Sequence, residues 1–90
     1  MTIKIIKLGK EDLINRNITA WPIWEKEASH FDWHYDSTEE CYLLEGDVEV
    51  TTEDGATVRF GKGDFVTFPK GLSCSWRIIS PVRKHYNFND

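Results

Sequence analysis

The chain has 90 residues, 40% of them hydrophobic, with 5 Phe, 3 Tyr and 4 Trp, and a net charge of −4. That length holds one domain, and folding at this size buries only somewhat over ~60% of the unfolded surface, so the core must be dense or shared with a partner. The aromatic content excludes a disordered chain, the acidic balance argues against non-specific nucleic-acid binding, and no apolar run is long enough to cross a bilayer.

Met1–Lys7 alternates weakly and reads as an edge strand. Its lysines interrupt any signal-peptide apolar segment, so a cytoplasmic location is expected. Gly9–Asn15 has room for one or two helical turns. The remainder reads as strands. Glu39–Glu45 alternates, with Glu39, Cys41 and Leu43 on one face and Glu40, Tyr42 and Leu44 on the other. Val48–Thr52 and Ala56–Phe60 flank Asp54-Gly55, a pair that signals a hairpin with a type I′ turn. Gly61–Asp64 is a second turn and leads into Phe65–Phe68; Pro69–Gly71 is a third. Ser73–Ile79 then runs to a break at Ser80-Pro81, and a last strand covers Val82–Phe88. Short strands with turns every eight to twelve residues predict an all-β sandwich or small barrel.

If the Glu39 face lines such a barrel, a carboxylate and the Cys41 thiol project into a low-dielectric interior. A charged Glu39 there needs a cation, a metal or a donor beside it. Pro69-x-Gly71 turns the chain so that Cys74 and Trp76 face the same interior, while His34 hangs over the mouth. His34, Cys41 and Trp76 are therefore the ligand-pocket candidates, and Glu39 and Cys74 the catalytic ones. Cys74 as a nucleophile needs a base or cation to lower its pKa, for which His34, Lys84 and His85 are available. Lys84 and Tyr86 share one face of the last strand and Arg83 and His85 the other; one pair must point inward or against a partner. The two cysteines read as a reduced cytosolic pair. If both face inward, a redox-sensitive disulfide between them needs Cα atoms within ~7 Å.

Two motifs resemble those of the cupins. Asp32-x-His34-x4-Glu39-x6-Gly46 has the spacing of their first motif, normally His-x-His-x4-Glu-x6-Gly, and Gly63-x5-Pro69-x-Gly71-x2-Cys74 that of the second, which normally ends in His. Trp21–Trp24, Cys41–Gly46, Phe68–Gly71 and Arg83–Tyr86 are similar to small single-domain cupins of the ureidoglycine aminohydrolase branch. The resemblance implies one cupin domain over 1–90, with motif one at 32–46 and motif two at 63–78: an all-β jelly-roll β-barrel with one short N-terminal helix or turn. It also implies a divalent-metal site at Asp32, His34, Glu39 and Cys74. A thiolate in that set favours Zn or Fe over the Mn common in that branch. Ile78 stands where motif two usually has Asn.

The expected function is binding of a small-molecule ligand, with metal-dependent hydrolysis or isomerisation of a small polar metabolite, a ureide or a sugar, as the chemistry. The alternative is a metal-free module that holds a metabolite without turnover, or a structural one. A homodimer is expected from the surplus of apolar surface.

Overall fold

The computed structural model describes residues 1–89. Its elements are β1 (Lys4–Lys7), α1 (Lys10–Asn15), a 3₁₀ turn (Ile18–Ala20), β2 (Ile23–Lys26), β3 (Ser29–His34), β4 (Thr38–Thr52), β5 (Thr57–Gly61), β6 (Asp64–Phe68) and β7 (Ser73–Asn89). All strand pairs are antiparallel, in the order β1-β6-β4-β7-β2, with β3 added to β7 and β5 to β4. This is the expected all-β architecture with one short N-terminal helix. Among the described residues no helix is long and apolar enough to cross a membrane.

Two strands organise the domain. β4 and β7 pair from Thr38↔Asn89 through Thr52↔Cys74, with register shifts between Leu43 and Val48. The sequence divides each into two strands, at Gly46 and at Ser80-Pro81. The structure instead carries each through as one bent strand. Gly46 sits at the bend with φ 125°, a conformation that glycine tolerates and other residues do not. Pro81 lies between the stretch of β7 that pairs with β3, up to Ile78, and the stretch that pairs with β2, from Val82. At that point the missing N–H interrupts neither flanking ladder. One half of β4 is flanked by β6 and the other by β5.

The Asp54-Gly55 hairpin forms with a different turn. Gly55 N–H donates to the Thr52 carbonyl at 2.9 Å, and only Gly55 of the Asp54-Gly55 pair has positive φ. The turn is thus Thr52–Gly55 with glycine in the left-handed bulge position, one residue off the type I′ register. The exposed Asp54 carboxylate accepts from the Thr52 hydroxyl and the Ala56 N–H, which holds its pKa below the usual carboxylate value.

Alternation along the strands builds the core. Cys41, Leu43, Val48 and Val50 of β4 are buried, as are Val66 and Phe68 of β6 and Trp76, Ile78 and Val82 of β7. Tyr35, just past β3, stacks on Phe68 with centroids 4.8 Å apart. The Pro69–Gly71 turn pins it. Gly71 N–H donates to the Tyr35 carbonyl at 2.7 Å, and Tyr35 N–H to the Leu72 carbonyl at 2.9 Å.

A Cβ at Gly46 would lie 2.9 Å from Val82 Cγ2 and 3.0 Å from Val82 Cα, whereas one at Gly55 would meet nothing within 4 Å. Gly46→Ala is expected to cost ~2–4 kcal/mol, from strain plus overlap with backbone, and Gly55→Ala ~1 kcal/mol from strain alone. Denaturant midpoints of the two variants measure the difference. Equal losses would mean that the bend does not depend on close approach to Val82.

Candidate functional site

Glu39, Cys41 and Leu43 face inward, as their alternation requires. Directly across the ladder stand Phe88, Tyr86 and Lys84 of β7, and opposing residues share a face. Lys84 also faces Trp24 of β2. Its long stem carries the ammonium to Glu39, where Nζ donates to Oε2 at 2.7 Å. Only 6% of the Lys84 side chain and 4% of that of Glu39 are accessible. The cation that the buried carboxylate demands is therefore a lysine 45 positions away. Trp24 and Trp76 complete its surroundings, with Nζ 4.9 Å and 4.8 Å from their ring centroids. Cation–π contacts replace part of the hydration that the ammonium gives up.

A cavity of about 550 Å³ opens beside this pair. Its walls are aromatic, built from Trp24, Phe31, Trp33, Trp76, Tyr86 and Phe88, with Tyr35, Glu39 and Lys84 between them and Lys26 and Asp32 also in the lining. Trp24 meets Trp76 edge-on at 6.1 Å, and Phe31 stacks on Trp76 at 6.0 Å. Tyr35 is buried next to Glu39; burial first, and then the Glu39 charge, raise its phenol pKa far above the ordinary value. It stays a neutral hydroxyl.

The four proposed metal positions do not come together. On β3, Asp32 and His34 occupy the face opposite Phe31 and Trp33. There each bonds to the serine across the ladder: Asp32 Oδ1 accepts from Ser75 Oγ at 2.6 Å, and His34 Nδ1 lies 2.6 Å from Ser73 Oγ. His34 is exposed, with Nε2 3.6 Å from Asp36. Cys74 is buried on the inner face of β7 beside Trp76, and Glu39 is taken by Lys84. Among the described residues no three His, Cys, Asp or Glu side chains form a group able to hold a metal ion. A divalent ion on Glu39 would also have to share its carboxylate with the tethered ammonium, against like-charge repulsion. These residues do not fit the metal that the motif spacing implies.

Of the pocket candidates, Trp76 lines the cavity. Cys41 is sealed in the core beneath it, and His34 belongs to a second, open recess with Ser73, Cys74 and Ser75. Both cysteines are free thiols. Burial pushes Cys41 up to about 12 and Cys74 up to about 11. For Cys74 the Trp76 indole is the one group that opposes the rise. Among the described residues Trp76 Nε1 is buried without a hydrogen-bond partner. Both thiols are protonated at neutral pH, so neither supplies a thiolate nucleophile.

Lys84 is the residue that sequence reasoning left unassigned. The parity of β7 placed it with Tyr86 and the interior demanded a cation, but the register joining β4 to β7 was missing. His85, on the other face, is buried as well: its Nδ1 lies 2.9 Å from the Trp21 carbonyl. The segment before β2 covers His85, while Arg83 on the same face stays exposed.

A family model described as the EutQ-like cupin domain matches residues 16–86. A DUF861 family protein from Thermotoga maritima is similar over 98% of this chain and 100% of its own, at 58% identity and a TM-score of 0.96. The EutQ protein of Clostridium difficile is 19% identical, with a TM-score of 0.68 over 96% of this chain and 66% of that one. A putative ethanolamine utilization protein Q from Salmonella typhimurium is 23% identical, with a TM-score of 0.65 over 98% of this chain and 69% of that one. At these last two identities the likeness is of fold alone. No curated protein matches this chain.

Removing one partner of the buried pair leaves the other charged and unpaired. Lys84→Met and Glu39→Gln should therefore each destabilise, with ~3–5 kcal/mol expected for the variant that strands a full charge. The double variant Glu39→Gln/Lys84→Met should lose less than Lys84→Met alone. A double variant whose loss equals the sum of the two single losses would show that the groups do not interact. The thiols give a pH signature. A native pKa raised above the unfolded one means stability that is complete below the unfolded value and lost as pH rises through the native one. Native stability should fall between about pH 9 and 12, with Cys41 adding up to ~1.4 kcal/mol per pH unit. The Cys41→Ala variant should show a shallower fall across that window, read from denaturant titrations at several pH values.

Proposed function

Because the chain belongs to the EutQ-like cupin family, we propose that it is a small-molecule-binding cupin whose barrel works without a metal. The observation that carries this reading is the aromatic cavity with the Glu39–Lys84 ion pair beside it. A concave, mostly apolar space with a few convergent polar groups is the ordinary form of a metabolite site. At about 550 Å³ it is of the size that admits one small metabolite. Aromatic walls suit the flat faces of a sugar ring or a ureide, and Glu39, Lys84 and the Tyr35 hydroxyl offer an acceptor and donors at the polar end. The segments similar to the ureidoglycine aminohydrolase branch favour the ureide.

Lys84 takes the role that a metal has in other cupins. Its ammonium neutralises Glu39 and presents positive charge to the cavity, with Asp32 and His34 of motif one turned to the other face of β3. Any turnover here would pass protons through Glu39 and Lys84, the acid–base pair in contact with the cavity.

Protein purified without added metal should hold substoichiometric metal, and its Tm should be the same with and without EDTA. A cavity ligand at about 100 times its Kd should add about 2.7 kcal/mol, a Tm rise of roughly 10–20 °C for a domain of this size. A thermal-shift panel of sugars and ureides reads this directly. Stoichiometric metal whose removal lowers Tm, or panel hits whose shifts survive Trp24→Ala and Lys84→Met, would contradict the reading.

A further inference from the structure

Resting on the cavity reading above, we infer that the site selects an uncharged, ring-bearing ligand with an oxygen acceptor, and rejects both carboxylates and amines of the same shape. The ionisable acids and bases in the lining, Lys26, Lys84, Asp32 and Glu39, cancel in pairs. Lys26 and Asp32 are exposed, so solvent and salt screen them. Glu39 and Lys84 are buried and already joined at 2.7 Å. They decide what charge the interior accepts.

A carboxylate ligand would reach Lys84 only by competing with Glu39, leaving two carboxylates to share one ammonium at a point where both side chains of the pair are almost fully buried. An amine ligand reverses the problem, with two ammonium groups and one carboxylate. The indole faces of Trp24 and Trp76 cannot relieve it, because Lys84 Nζ already lies 4.9 Å and 4.8 Å from their centroids. An uncharged ligand leaves the pair intact. An ammonium carries three donors, and one of those of Lys84 goes to Glu39. A carbonyl or hydroxyl oxygen can accept another while a ring packs on Phe31, Trp24 or Tyr86.

Three probes of one shape and different charge test this: benzamide, benzoate and benzylamine. Binding to the wild-type protein is followed by the ¹⁵N-indole resonances of Trp24 and Trp76, assigned with Trp24→Phe and Trp76→Phe. Benzamide should bind at least about tenfold more tightly than either charged probe and move these resonances. Glu39→Gln frees the Lys84 charge and should turn the preference to benzoate. Lys84→Met frees the Glu39 charge and should turn it to benzylamine. The wild-type ranking is decisive even where a variant fails to fold. Benzoate or benzylamine binding as tightly as benzamide at the same indoles would overturn the inference and leave the cavity reading standing. If none of the three moved either indole, the cavity reading would fall and the inference with it.

Discussion

A carboxylate inside a 90-residue barrel sets the terms for everything around it. Glu39 is 3% exposed, and an isolated charge at that depth would cost several kcal/mol or more. The fold meets the demand with Lys84, brought alongside by the pairing of β4 with β7. The ammonium is itself costly to bury, and the two indoles against which it lies offset part of that cost. Replacing such a pair by apolar side chains is often neutral or stabilising.

The scaffold holds this pair firmly. β4 and β7 run the length of the domain, bend together near Gly46 and Pro81, and carry all the other strands except β1 on their edges. Glu39 lies in the half of β4 that β6 flanks, and Lys84 in the half of β7 that β2 flanks. Trp76 reaches the same place from the other half of β7, where β3 is the neighbour. The cavity is thus lined from four of the seven strands, β2, β3, β4 and β7, with Tyr35 added from the connection between β3 and β4. A site supported by the central ladder is held to a narrower geometry than one on loops.

Membership of the EutQ-like cupins explains the motif spacing without bringing its usual chemistry. Gly46, Gly63 and Gly71 hold the left-handed conformations that the motif glycines supply. Glu39 holds its inward place. Asp32 and His34 keep the first-motif spacing but lie on the outer face of β3, bonded to Ser75 and Ser73. The motif glycines keep their turns, and the group beside Glu39 at the centre is a lysine from the last strand.

Much of this was legible in the chain itself. Alternation put Glu39, Cys41 and Leu43 on one face and Cys74 with Trp76 on another, because side-chain direction in a strand depends only on parity. Glycine and proline marked the turns, though the Asp54-Gly55 hairpin closes one residue away from the expected type, a difference set by hydrogen bonds from Thr52 rather than by the pair alone. The two bends were read as breaks, since a local signal cannot tell a strand that ends from one that turns and pairs again. The metal set was misplaced for a similar reason. Spacing puts Asp32 and His34 near Glu39 along the chain, but the face of β3 that looks inward is decided by its pairing with β7. Local sequence determined the all-β class, the inward face of β4 and the need for a cation, a metal or a donor beside a charged Glu39. Only the tertiary structure decided that the cation is Lys84, because the contact spans 45 positions and exists only once β4 and β7 have found their register.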